Sequence, residues 1–135
     1  MKVPSDTHVA VIDGERFLLM RNCGTTVEPK LEAEGTPSVD YSNKSAGVRH
    51  QDDRGKKVGK ERLDKAAHAA GVAEWLNKAV SDRRIDQLLI VADPFTLGEM
   101  RPHYSKQLQA ALLGEVDREL TGMPGPDIVR ALEAV

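Results

Sequence analysis

A chain of 135 residues, 40% hydrophobic and 30% charged, is sized for one globular domain that buries about two thirds of its unfolded surface without metal or disulfide staples. Lysine and arginine number 19 against 21 aspartates and glutamates, a net charge of −2 that by itself points neither to nucleic acid nor to a membrane. The single cysteine, Cys23, excludes an internal disulfide and a paired-thiolate metal site, so a reducing cytosol is the expected compartment.

At the start, MKVPSDTH carries no apolar signal region, and no run approaches the ~20 apolar residues of a membrane span. A cytoplasmic location with no membrane contact is expected. HVAVID (8–13) and RFLLMRN (16–22) are β-rich runs around Asp-Gly-Glu, a hairpin signal that makes Asp13 and Gly14 turn residues. VEPKLEAE (27–34) alternates apolar and charged positions as a half-exposed strand, and Pro29 pushes it to a sheet edge.

From about 36 to 59 the pattern dissolves into Gly, Ser, Asn, Asp and Lys, which predicts a flexible loop with a functional or linking role. Between Lys44 and Lys65 stand eight basic residues (Lys44, Arg49, Arg54, Lys56, Lys57, Lys60, Arg62, Lys65) and four acidic ones, a local charge of +4. The remaining 11 basic and 17 acidic residues leave −6 for the rest. A basic footprint of this kind suits phosphate contact, although most charge runs are simply solvated.

Helical periodicity returns from Lys60 to about Arg83, with Ala66, Ala69, Ala73, Leu76 and Val80 on one stripe. Trp75, the only tryptophan, is expected opposite that stripe beside His68, with Gly71 one turn earlier opening space. His68, Gly71 and Trp75 are therefore a candidate protein contact, weighed against cover by another segment of the chain. IDQLLIVA (85–92) is a continuous apolar run, the mark of a central strand buried on both faces. A helix between two strands implies a right-handed crossover.

Beyond that strand, DPFTLGEMRPHY gathers Asp93, Thr96, Glu99, Arg101 and His103 where open α/β sheets place ligands. Thr96 followed by Glu99 fits a capping box. Pro94 and Pro102 bound a short helix at 97–101, with another expected over 104–112. LGEVDREL (113–120) reads as either helix or strand, and Pro124, Pro126 and Asp127 announce a last helix.

The chain contains none of the phosphate-loop, dinucleotide, zinc-hydrolase or nucleophile-elbow motifs. His8, His50, His68 and His103 stand at no ligand spacing from one another. No cofactor is expected. One enzymatic alternative remains: if the strands ending at Asp13 and Asp93 are neighbours, the two carboxylates could hold Mg²⁺ for phosphodiester hydrolysis, with Glu99 or Asp117 as a third ligand. Asp13 is otherwise explained by its turn and Asp93 by the proline after it.

Taken in order, KVPSDTHVAVIDGERFLLMRN, AAGVAEWLN, IDQLLIVA, PFTLGEMRPH and GEVDRELTGMP followed by Asp127-Ile128 resemble the bacterial host attachment proteins over almost the whole chain. That family is in turn similar to the middle domain of archaeal and eukaryotic peptide-chain release factors. The resemblance implies a single three-layer α/β domain with a mixed sheet in the order β-β-β-α-β-α-α-β-α, which makes LGEVDREL a strand. In release factors the loop before the long helix carries a Gly-Gly-Gln tripeptide. Here Gln51 has no Gly-Gly before it, so peptide release by that motif is not expected, and Asp93 stands where the family has proline or a small residue. The expectation is a non-enzymatic protein that binds RNA, the ribosome or a protein partner through its basic loop, with a purely protein–protein adaptor as a further alternative.

Overall fold

The computed structural model describes residues 1–39 and 57–135, with side chains in the long helix described from Arg62 onward. Five strands build one mixed sheet: β1 (His8–Ile12), β2 (Phe17–Asn22), β3 (Leu31–Gly35), β4 (Leu88–Ala92) and β5 (Leu112–Val116). Their order across the sheet is β3-β2-β1-β4-β5. The hairpin β1–β2 pairs Ile12 with Phe17, and β2–β3 is also antiparallel. The β1–β4 and β4–β5 pairs are parallel. β1 is the middle strand and β4 lies beside it, every residue of both buried.

Among the described residues four helices flank the sheet: α1 (Lys57–Ser81), α2 (Pro94–Met100), α3 (Lys106–Ala111) and α4 (Gly125–Glu133), with a 3₁₀ turn at Arg101–His103 between α2 and α3. This is a small α/β domain, and among the described residues its element order follows the expected one, the extra turn apart. Alternation along β1 sorts the core in two. Ala10 and Ile12 face α1, α2 and α3, packing with Ala69, Leu76, Leu97 and Leu108. Val9 and Val11 face the other way, into Val3, Leu120 and the Ile128 and Leu132 positions of α4. Small residues at Ala69, Ala73 and Ala79, all fully buried, let α1 sit close on the sheet.

The local readings differ from the structure at several places. β3 starts at Leu31 rather than 27, because Pro29 cannot donate to the ladder and the chain turns through Thr25–Glu28, where the Glu28 amide meets the Thr25 hydroxyl at 2.9 Å. α1 begins at Lys57 and ends at Ser81; Arg83 takes a left-handed conformation (φ 61°) after it. The N-cap of α2 is Asp93, not Thr96, with Pro94 in the first turn.

Asn22 at the end of β2 holds a region no motif signalled. Its amide donates to the carbonyls of Val3, Pro4 and Thr25, and its side-chain oxygen accepts from Gly24 and Lys30 at 2.9 Å each. One buried amide thus ties the N-terminal segment to the β2–β3 connection.

Candidate functional site

Because β1 and β4 are neighbours in parallel register, with Ile12 opposite Ala92, Asp13 and Asp93 leave the sheet side by side at one carboxyl edge. They meet the geometric condition set for a metal pair, but each carboxylate is already engaged. Oδ1 of Asp13 accepts from the Glu15 amide (2.8 Å) and the Arg16 amide (2.6 Å). Oδ2 accepts from Arg16 Nε (2.7 Å) and the Thr121 hydroxyl (2.8 Å). Burial alone would raise the carboxyl's pKa, yet the amides of Glu15 and Arg16, the Thr121 hydroxyl and the Arg16 guanidinium together hold it below its ordinary value.

Asp93 caps α2 by accepting from the Thr96 amide (3.1 Å) and the fully buried Thr96 hydroxyl (2.7 Å). Among the described residues no three His, Cys, Asp or Glu side chains lie together as a metal-holding group. Neither Glu99 nor Asp117 belongs to the described lining of the cleft at this edge.

That cleft, about 550 Å³, opens above the Asp13 turn between α1 and the start of α2. Arg62 and Lys65 come down from α1, Phe95 from α2, and Glu15 and Glu119 from the loops. The Arg62 guanidinium carbon stands 5.1 Å from the Phe95 ring centroid, a cation–π contact. Lys65 lays its aliphatic stem on Gly14 so closely that an added Cβ there would lie 2.8 Å from Lys65 Cγ. A side chain at Gly14 would push the Lys65 stem aside, so the glycine makes room for this approach.

Arg62 and Lys65 are the carboxyl end of the basic stretch. Of the residues expected to bind RNA or a partner, Lys44, Arg49, Arg54 and Lys56 lie outside the described residues, as does Gln51. Lys57 and Lys60 fall in the first turns of α1, where side chains are not described.

The second expected group sits elsewhere on α1. His68 is buried with Nε2 3.3 Å from the Arg16 carbonyl, and Gly71 is buried too. Trp75 is half-buried on the flank of the core, edge-on to Phe17 at 5.3 Å between ring centroids, with the Arg84 guanidinium 5.2 Å from its own ring. It is not opposite the buried stripe. Its ring lines a second cleft of about 430 Å³ with His8, Glu34, Pro37 and Arg84. There His8 Nε2 meets Glu34 at 2.7 Å, while buried His8 Nδ1 has no partner among the described residues.

A five-stranded mixed sheet with a long helix leading into its second parallel strand defines a release-factor-like α/β domain. The family described as bacterial archaeo-eukaryotic release factor family 12 matches residues 6–132, and the chain belongs to it. No curated protein matches the chain. As for membranes, no helix among the described residues is long and apolar enough to cross one.

Proposed function

We propose that this protein is a non-enzymatic, cytoplasmic binding protein that contacts RNA on the ribosome through the basic stretch from Lys44 to Lys65. The observation that carries the reading is the separation of charge: +4 in 22 residues against −6 in the remainder, in a chain of a release-factor family. Arg62 and Lys65, the described end of that stretch, stand at the rim of the carboxyl-edge cleft and have no ion-pair partner among the described residues. Phosphate-led binding follows from this composition, with Tyr41 as the one aromatic residue in the stretch before α1. Attachment to host cells, the property of the proteins it resembles, would then be an indirect outcome of an intracellular role.

Sedimentation with ribosomes tests the reading. Association is expected at low salt and is lost in a high-salt wash. Replacing Lys56, Lys57 and Lys60 by Glu abolishes it, whereas the same charge change at Lys2, Lys30 and Lys106 leaves it intact. Salt-independent association, or equal loss in both triple variants, would overturn it. Mg²⁺-dependent RNA cleavage that disappears in Asp13→Ala would replace it with the nuclease reading.

The adaptor reading has one observation in its favour, the part-exposed Trp75 at the second cleft. A protein partner that survives the high-salt wash and is lost with Trp75→Ala would support it.

A further inference from the structure

We propose that the carboxyl-edge cleft is a pocket for a single nucleotide whose base carries an amino group, and that it receives one unpaired nucleotide of the bound RNA. The identity of the occupant rests on the RNA-binding reading above; the chemistry of the pocket does not. Its volume of about 550 Å³ falls within the span of small-ligand sites, roughly 300–1,000 Å³. It lies at the carboxyl ends of two adjacent parallel strands, the usual ligand position of open α/β sheets.

The charges in the cleft select the ligand. Asp13 is satisfied by Arg16 and Thr121, and Asp93 by Thr96, so those carboxylates are held within the fold. Left facing the cleft without an ion-pair partner among the described residues are two anions, Glu15 and Glu119, and two cations, Arg62 and Lys65. Inorganic phosphate would gain from the cations but meet the carboxylates, and a bare metal ion would face the reverse conflict. A ligand with an anion at one end and N–H donors at the other satisfies both pairs.

A nucleotide has that polarity: its phosphate suits Arg62 and Lys65, while carboxylates accept from the exocyclic amino group of adenine, cytosine or guanine. Uracil offers a ring N–H but no amino group. Phe95 supplies an aromatic ring for the base, and Arg62, in contact with that ring, keeps its guanidinium close enough to serve the phosphate. Lys65, seated on Gly14, is held at the cleft by its own stem.

Isothermal titration of the whole chain with AMP, CMP, UMP, adenosine and inorganic phosphate tests the assignment. AMP and CMP are expected to bind at one site, UMP at least fivefold more weakly, and adenosine and phosphate at least tenfold more weakly than AMP. Phe95→Leu, which keeps apolar bulk but removes the ring, and Lys65→Gln should each weaken AMP at least tenfold with an unchanged melting temperature. Phosphate binding as tightly as AMP, no saturable binding of any mononucleotide, or AMP affinity unchanged in Phe95→Leu would overturn the pocket. The Lys56, Lys57 and Lys60 triple variant separates the two readings. It should lose ribosome association yet hold AMP within twofold of the unaltered chain. If the unaltered chain binds AMP but never sediments with ribosomes, the ribosomal reading falls and the pocket stands.

Discussion

Leu76 is the position where the seating of α1 on the sheet is most directly measured. It is 0% exposed and packs in the cluster that holds Ile12, Phe17, Ile90 and Leu97. Leu76→Ala removes three carbon atoms, about 2.4 kcal/mol at ~0.8 kcal/mol per buried methylene. The cavity adds to this, because α1 is pinned on both sides of the site by buried Ala73 and Ala79 and cannot move inward to fill it. A loss of about 3–4 kcal/mol is expected, within the ~2.7–5 kcal/mol seen for such truncations.

At roughly 3–5 °C per kcal/mol for a domain of this size, the melting temperature should fall by about 10–20 °C. Urea unfolding followed by Trp75 fluorescence gives the free energy, since the ring leaves Phe17 as the core opens. Leu113→Ala, at a side chain 46% exposed, is the control and should stay within about 0.5 kcal/mol. A Leu76→Ala loss below about 1 kcal/mol with an unchanged denaturant slope would refute this packing of α1.

Asp93→Ala removes the α2 cap and leaves the buried Thr96 hydroxyl without its partner, so chemical denaturation should show a loss of about 1–2 kcal/mol. Asn22→Ala strips five hydrogen bonds from a fully buried site and should cost on the order of 3 kcal/mol, with faster proteolysis of the N-terminal segment as the companion readout. Arg83→Gly relieves a left-handed backbone at an exposed position and should raise stability by about 1 kcal/mol in the same assay. The depressed Asp13 carboxyl binds its proton less readily in the folded state than in the unfolded one. Its contribution is therefore present above its ordinary pKa of 3.8 and lost as the pH falls through the lower folded value. Acid unfolding should accordingly show the stability gap between the native chain and Asp13→Asn closing below about pH 4.

The parts of the fold legible in sequence were those set by near neighbours. Asp-Gly between two β-rich runs signals the hairpin, where the Asp13 carboxylate closes the turn by accepting from the Glu15 and Arg16 amides, and LLIVA can be apolar throughout only if both sheet faces are covered. The α2 cap was misassigned because two capping patterns overlap: Thr96 and Glu99 satisfy one, Asp93 with Pro94 at the first position satisfies the other, and the buried Thr96 decides. Trp75 lies about 100° around α1 from Leu76. A stripe read from Ala66, Ala69, Ala73, Leu76 and Val80 hides the wider face, which Val72 and Ala79 extend toward Trp75 and Phe17. The cleft was half legible. Asp13 and Asp93 could be placed at strand ends, but their adjacency depends on strand order, and their engagement by Arg16, Thr121 and Thr96 depends on tertiary contacts. Phe95 and Glu119 lie within the stretches PFTLGEMRPH and GEVDRELTGMP, but nothing local in either stretch shows that the two share a cleft.

The middle strand acquires its two neighbours at very different times as the chain is made. β2 follows β1 by a four-residue turn, whereas β4, the other flank, begins at Leu88. Until β4 has left the ribosome exit tunnel, β1 has only the β2 side of the sheet to pair with, a hairpin that is marginal in water before β3 joins it, and the apolar side of α1 is still uncovered. At about 5–20 residues per second, residues 8–88 take roughly 4–16 s to synthesise, long compared with hairpin formation. A nascent chain of this protein therefore spends seconds with an open sheet edge at Val9–Val11, and chaperone contact should concentrate on chains arrested before Leu88 and fall away once Ala92 is free.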